Sequence, residues 1–287
     1  MSFAKFGPAG NSESFSLMKY KSTLQIPEYI EKMGLDAYEY QCGRGVNIGL
    51  DKAAQFGKLS AEKNIALSLH APYYISMSSV EEAKRDNSVN YILQSARAVN
   101  AMGGTRIVVH TGSCGKISRE EALKLAIDTM KKAISALDNE GLSNIRICPE
   151  TMGKINQLGT LEEVVALCQL DERLLPCIDF GHLNARTLGG LKEKKDFEAI
   201  FDMIENKLEY SKEEKAYIYE YFKNKDNLEQ QLINEIQTSI ESVIEENYVQ
   251  GNPIRKFNYG INKDEIQETF FHNLKENVVK DIIANSN

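Results

Sequence analysis

Four residues of metal-ligand type close four successive apolar runs in this chain. The runs are Leu67-Ser68-Leu69-His70, Ile107-Val108-Val109-His110, Ile145-Arg146-Ile147-Cys148-Pro149-Glu150 and Pro176-Cys177-Ile178-Asp179, and His182 follows the last by three residues. A hydrolytic metal site needs neutral imidazoles and carboxylates on rigid backbone, with a coordination position left open. His70 and His110 suit a first cation, and Glu150 has two oxygens with which to bridge it to a second. Asp179 would complete the second ion's shell and His182 would reach a third. Shared between ions, Glu150 is the expected catalytic residue. The donors are nitrogen and oxygen without thiolate, a set that suits Zn2+ and also Mn2+ or Fe2+. Taken singly, a histidine at a strand end is more often a hydrogen-bonded structural residue, and a lone carboxylate there caps a helix or pairs with an arginine. Four such residues ending four successive runs favour the metal reading.

These residues converge only if the elements carrying them are parallel. Strand and helix signals alternate from the start of the chain to about residue 205. Phe3–Phe6 reads as a first strand, followed by a helix with Pro27 in its first turn and an end near Gly34. Residues 37–41 form a second strand and 50–63 a helix; residues 65–70 form a third strand and 88–102 a helix. Residues 106–110 give the fourth strand, and its helix opens at Ser118 with Glu121 three residues on. Residues 145–150 give the fifth, with a second capping box at Thr160 and Glu163, and 176–179 give the sixth, with a helix near 196–206. Strands buried on both faces and joined by helices belong to a parallel sheet, and six βα units favour a TIM (β/α) barrel. Active sites on such sheets collect at the carboxyl ends of the strands.

The pattern changes after residue 208. Tyr217, Tyr221, Leu228, Leu232, Ile236 and Ile240 recur at helical spacing, as do Ile266, Phe270, Leu274, Val278 and Ile282. The reading is a barrel core over 1–208, incomplete by its own strand count, and a mainly helical C-terminal region over 209–287. No apolar run approaches the ~20 residues that span a bilayer. The N-terminus has no apolar signal core, and five cysteines form no C-x-x-C pair. A cytoplasmic monomer without a membrane partner is expected. A net charge of −7 disfavours nonspecific nucleic-acid binding through bulk charge. It leaves room for a phosphate substrate, because clustered divalent cations make a locally positive pocket on an acidic protein.

Phe6-Gly7-Pro8-Ala9-Gly10-Asn11, His70-Ala71-Pro72-Tyr73, Val109-His110-Thr111-Gly112, Pro149-Glu150-Thr151-Met152-Gly153-Lys154 and Ile178-Asp179-Phe180-Gly181-His182-Leu183-Asn184-Ala185-Arg186 together resemble the endonuclease IV family of apurinic/apyrimidinic endonucleases. The resemblance covers roughly residues 3–208. It implies a TIM barrel with up to three zinc ions that incises double-stranded DNA on the 5′ side of an abasic site, in base excision repair. It also implies that His70 and His110 bind the first zinc, that Glu150 bridges to the second, that Asp179 binds the second and that His182 binds the third. By the same resemblance Tyr73 stacks within a bent duplex and Arg44 is a minor-groove residue, while Lys154 and Arg186 are candidates for phosphate contacts. The family takes further ligands from its last barrel strands: a histidine, an Asp-x-His pair and a glutamate. Residues 209–287 contain one histidine, His272, on an expected helix, and no Asp-x-His. Fewer than three zinc ions are therefore expected here, with Mn2+ as an alternative metal.

Two other functions stay open at this stage. The same barrel class includes xylose-isomerase-like sugar isomerases and epimerases, which use a few carboxylates and histidines around one metal. A divergent barrel without catalysis, serving as a binding module through its C-terminal helices, is the other.

Overall fold

A computed structural model describes residues 5–208. Two compact units divide the chain, the first formed by 1–192 with 199–210 and the second by 193–198 with 211–287. The expected helices of the C-terminal region, and His272 with them, lie outside the described residues.

The first unit opens with a short helix, α1 (Glu13–Leu17), a 3-10 turn (Thr23–Gln25) and α2 (Ile26–Lys32). Then strand and helix alternate: β1 (Ala37–Gln41), α3 (Leu50–Ala61), β2 (Ala66–His70), α4 (Glu82–Ala101), β3 (Arg106–Val109), α5 (Arg119–Asn139), β4 (Arg146–Pro149) and α6 (Leu161–Cys168). Two further helices follow, α7 (Phe180–Arg186) and α8 (Lys194–Lys207). The four strands make one sheet in the order β1-β2-β3-β4, parallel throughout. This is the stave-and-helix pattern of a TIM barrel, with the carboxyl ends of all four strands on one rim.

Side chains alternate across each strand, and that alternation separates the core from the site. Leu69, Ile107 and Ile147 point to the helices and are at most 1% exposed, packed in one core with Phe56, Ile92, Met130 and Leu137. Gly57 shows how closely the helical layer approaches, since a Cβ there would lie 2.2 Å from the Met102 carbonyl oxygen. The expected helix starts carry real caps. The Ser118 hydroxyl accepts from the Glu121 amide, and Thr160 and Glu163 form a full capping box. The helix expected from residue 88 begins six residues earlier, at Glu82.

Two expected strands are not regular strands. Of Phe3–Phe6 only Lys5 and Phe6 are described, and they form no ladder of their own. The chain from Phe6 to Gly10 nevertheless runs beside β1, with Phe6 and Pro8 carbonyls accepting from Ala37 and Glu39 and Gly10 donating to Glu39. The segment 174–179, which contains the expected strand Pro176–Asp179, likewise forms isolated bridges, Ile147 with Leu174 and Glu150 with Cys177. Leu175 and Cys177 donate to the Ile147 and Pro149 carbonyls. Thr151 donates back to the Cys177 carbonyl, but Pro149 has no N–H to return to that of Leu175, which breaks the ladder between the two bridges.

Candidate metal centre

Three strand ends deliver the first three candidate ligands side by side. His70 is the last residue of β2 and is in register with Gln41 and Val108 on its two neighbours. His110 and Glu150 each follow the last residue of β3 and β4, whose ends, Val109 and Pro149, are paired. Because Leu69, Val109 and Pro149 face outward, His70, His110 and Glu150 face the barrel interior. Asp179 arrives by a different route. The buried Thr151 hydroxyl accepts from the Asp179 amide at 2.8 Å and lies 3.3 Å from the Asp179 carbonyl oxygen, which pins the irregular edge segment to β4. Asp179 is then the N-cap of α7, its Oδ1 accepting from the His182 amide at 2.7 Å. The plain helix-capping role and the site role thus coexist, one on each carboxylate oxygen.

Glu150 is the hub. Its Oε2 lies 3.2 Å from His70 Nε2 and 3.0 Å from His110 Nε2, while its Oε1 lies 3.4 Å from His182 Nδ1. His182 Nδ1 is also 3.3 Å from Asp179 Oδ2. His70, His110 and Glu150 form one group, and Glu150, Asp179 and His182 another, with ligand atoms in each within 4.8 Å of one another. The structure therefore brings all five expected ligands together. Three of the chain's four histidines meet at one carboxylate.

The donor geometry fits a cation. Two ligands about 2.1 Å from a tetrahedral Zn2+ stand about 3.4 Å apart, close to the His70 and His110 distances from Oε2. The His70 Nδ1 faces the Ala71 carbonyl at 2.9 Å, which assigns the proton to Nδ1 and leaves Nε2 as the lone pair turned toward Glu150. His182 Nδ1 lies 2.9 Å from the Thr151 carbonyl as well as facing Glu150 and Asp179, so its ring is held between that carbonyl and the two carboxylates.

Burial alone would raise the Glu150 carboxyl, but the imidazoles of His110 and His70 more than offset it and hold the group at about 2. Burial lowers His70, yet the Glu150 carboxylate and the Ala71 carbonyl outweigh burial and leave it raised. Glu39 on β1, whose role the sequence does not reveal, is a further half-buried carboxylate, raised by burial and partly held down by His70. It accepts from Gln41 Nε2 at 2.8 Å and sits across from Ser68. The alternation Tyr38-Glu39-Tyr40, with tyrosines on the helix side, is the signal that could have found it. Thr151 was likewise missed, because a hydroxyl that organises a site carries no spacing rule.

The residues expected to touch DNA stand on the same rim. Arg44, exposed in the loop after β1, donates from Nε to the Tyr73 hydroxyl at 3.0 Å, so these two are paired. Tyr73 is 47% exposed, and its ring centroid is 4.8 Å from that of Tyr74, also half exposed. Lys154 is exposed in the loop after β4. Arg186 is only partly exposed, and its guanidinium faces that loop's backbone, donating to the Met152, Lys154 and Gln157 carbonyls.

Residues 27–218 match the family described as xylose isomerase-like TIM barrel. An uncharacterized protein of Methanocaldococcus jannaschii is 32% identical over 181 residues, covering 63% of this chain and 64% of that protein. The chain thus spans less than two thirds of that relative's length. A probable endonuclease 4 of Acholeplasma laidlawii is 28% identical over 72% of this chain and 77% of its own length. Further relatives of that name match over 39% to 56% of their own length. Among solved structures, the 3-keto-D-glucoside 4-epimerase YcjR of E. coli superposes with a TM-score of 0.52 at 17% identity, covering 69% of this chain and 75% of that one. At that identity the likeness is one of fold.

Proposed function

This chain belongs to the xylose isomerase-like TIM barrel family, and from that premise we propose that it is a metal-dependent phosphodiester hydrolase acting on double-stranded DNA at abasic sites. The observation that carries the proposal is the sharing of Glu150 between two ligand groups, Oε2 toward His70 and His110 and Oε1 toward His182. A carboxylate so placed suits two neighbouring ions, the arrangement that clamps both oxygens of a phosphoryl displacement. The relatives called probable endonuclease 4 support the same reading.

When bound, divalent cations here supply Lewis acidity and offset the charge that develops on phosphate and leaving oxygen. His70 and His110 would hold one through Nε2, with the Ala71 carbonyl keeping the His70 ring in the right tautomer. Asp179 and His182 would hold the second together with Glu150. The ligands' own geometry suits Zn2+, with Mn2+ as the substitute. In the hydrolysis, a water oxygen joins phosphorus, the P–O bond on the 5′ side of the abasic residue breaks, and a proton passes to the departing oxygen. Arg44 and Tyr73, linked to each other, would meet the duplex at the rim, with Lys154 as a phosphate contact. A missing base removes stacking and pairing, so the damaged nucleotide is the one cheapest to draw into a recessed site.

The test is incision of an abasic duplex by the full chain with Zn2+ or Mn2+, against the intact duplex and against a panel of ketoses. Nicking confined to the abasic duplex and abolished by EDTA supports the proposal. Turnover of a ketose with the duplex untouched replaces it with a sugar isomerase or epimerase. A folded chain inactive on all of them leaves a binding module.

A further inference from the structure

Arg186 and His182 are four residues apart on α7 and so share one side of that helix. Yet Arg186 faces no carboxylate among the described residues. Its Nε donates to the Met152 carbonyl at 2.7 Å, and its Nη2 donates to those of Lys154 and Gln157 at 2.8 and 2.6 Å. The Gln157 carbonyl accepts in addition from Arg119 Nη2 at 3.0 Å, and Arg119 Nη1 takes the Ile155 carbonyl at 2.8 Å. Two guanidiniums therefore hold four carbonyls of the stretch 152–157. Only Arg119 is neutralised, by a two-pronged contact with Glu163 at 2.8 and 2.7 Å. Burial and the neighbouring Arg119 both pull the Arg186 pKa down, so its charge sits there against an electrostatic cost. A surface arginine with no function beyond solubility would turn to solvent instead.

The gripped stretch is what walls His182. On one side the Thr151 carbonyl meets Nδ1 at 2.9 Å. On the other, Gly153 lies so close that a Cβ there would be 3.2 Å from His182 Cδ2 and 3.4 Å from its Cα. The imidazole thus occupies a slot whose walls are residues 151 and 153, and Arg186 bonds the carbonyl of 152 between them and that of 154 just beyond.

We propose that Arg186 is a positioning residue for His182: by gripping the loop after β4 it fixes Thr151 and Gly153 around the imidazole and so sets the affinity of the Glu150–Asp179–His182 group for a divalent cation. This rests on the metal reading above and replaces a phosphate contact as the main role of Arg186. A guanidinium whose Nε and Nη2 donors are all taken keeps only Nη1 free and cannot meet a phosphate through two of its nitrogens.

The test needs no DNA. Zn2+ is titrated into the full chain against a chromophoric chelator, with His70→Ala and His182→Ala identifying the binding step that belongs to each ligand group. Arg186→Ala is expected to weaken the His182-dependent step roughly 10–100-fold, as loss of an outer partner does, and to leave the His70-dependent step unchanged. Arg186→Lys should weaken it too, because one ammonium cannot span three carbonyls. Gly153→Ala, with Arg186 intact, should cause the same selective loss by crowding the ring, and it decides the matter if Arg186→Ala does not fold. The proposal is overturned if the folded Arg186→Ala chain keeps both steps, if it loses both alike, or if lysine restores the step fully. It is also overturned if Gly153→Ala binds as wild type, or if Arg186→Ala weakens duplex binding while the metal steps stay unchanged. A wild-type chain that binds no Zn2+ sinks the metal reading and this inference together. A wild-type chain that binds while the Arg186 variants match it sinks this inference alone.

Discussion

Replacing Glu150 by glutamine keeps the side chain's shape and removes its charge where the two ligand groups meet. In the metal-free chain the carboxyl sits at about 2, against an ordinary 4.5. At about 1.4 kcal/mol per unit, the ionised form is favoured by roughly 3 kcal/mol, or about 2 kcal/mol once solvent at the open face of the cluster is allowed for. Because the folded-state value is depressed, this stability is present above 4.5 and is lost as pH falls toward 2. Urea unfolding in EDTA should therefore find Glu150→Gln less stable than wild type by about 2 kcal/mol at about pH 6. The gap should close toward the lowest pH at which both chains still fold. With Zn2+ added, the loss of a shared ligand should lower affinity by more than the ~10–100-fold typical of outer partners. A stability gap that ignores pH, or a variant that binds Zn2+ within about tenfold of wild type, would refute the reasoning.

Three further outcomes follow from the geometry. Tyr73→Phe removes the hydroxyl that accepts from Arg44. It should leave unfolding free energy within about 0.5 kcal/mol of wild type while weakening abasic-duplex binding several-fold in a gel-shift titration, and equal affinity contradicts it. Lys154→Ala should reduce the slope of log affinity against log salt by about 1, and an unchanged slope removes Lys154 from the DNA surface. Arg119→Ala strands Glu163 with only the Gly159 and Thr160 amides. It should destabilise the chain by about 2 kcal/mol in urea unfolding, the partly exposed guanidinium keeping this below a fully buried pair, and a loss under about 1 kcal/mol contradicts it.

The parts of the site legible in the sequence are those with a strong local signature. Apolar runs ending on His70, His110 and Glu150 announce both a buried strand and its polar terminus, and β2, β3 and β4 fall where those runs lie. The segment reaching Asp179 looked like another strand because its composition is the same, but Pro149 on β4 has no N–H to return to the Leu175 carbonyl, and the ladder breaks into isolated bridges. Asp179 still arrives, held by the Thr151 hydroxyl rather than by a ladder. The grip of Arg186 on the loop after β4 was illegible for a related reason. Its partners are backbone carbonyls, which leave no trace in residue identity, so an arginine near a ligand looked like one for phosphate. Glu39 was passed over because its strand closes on Gln41 and not on a ligand-type residue, although the flanking Tyr38 and Tyr40 mark it as facing the other side of the sheet.

The claim beneath all of this is that the imidazoles of His70 and His110 and the carboxylate of Glu150 share a cation. The most direct measurement is an anomalous difference map at the zinc edge, from crystals grown with Zn2+ in excess. A peak bonded to His70 Nε2, His110 Nε2 and Glu150 Oε2 at about 2.0–2.2 Å is the expected result. No peak there, with the histidine nitrogens still in direct contact with the Glu150 carboxylate, would contradict it.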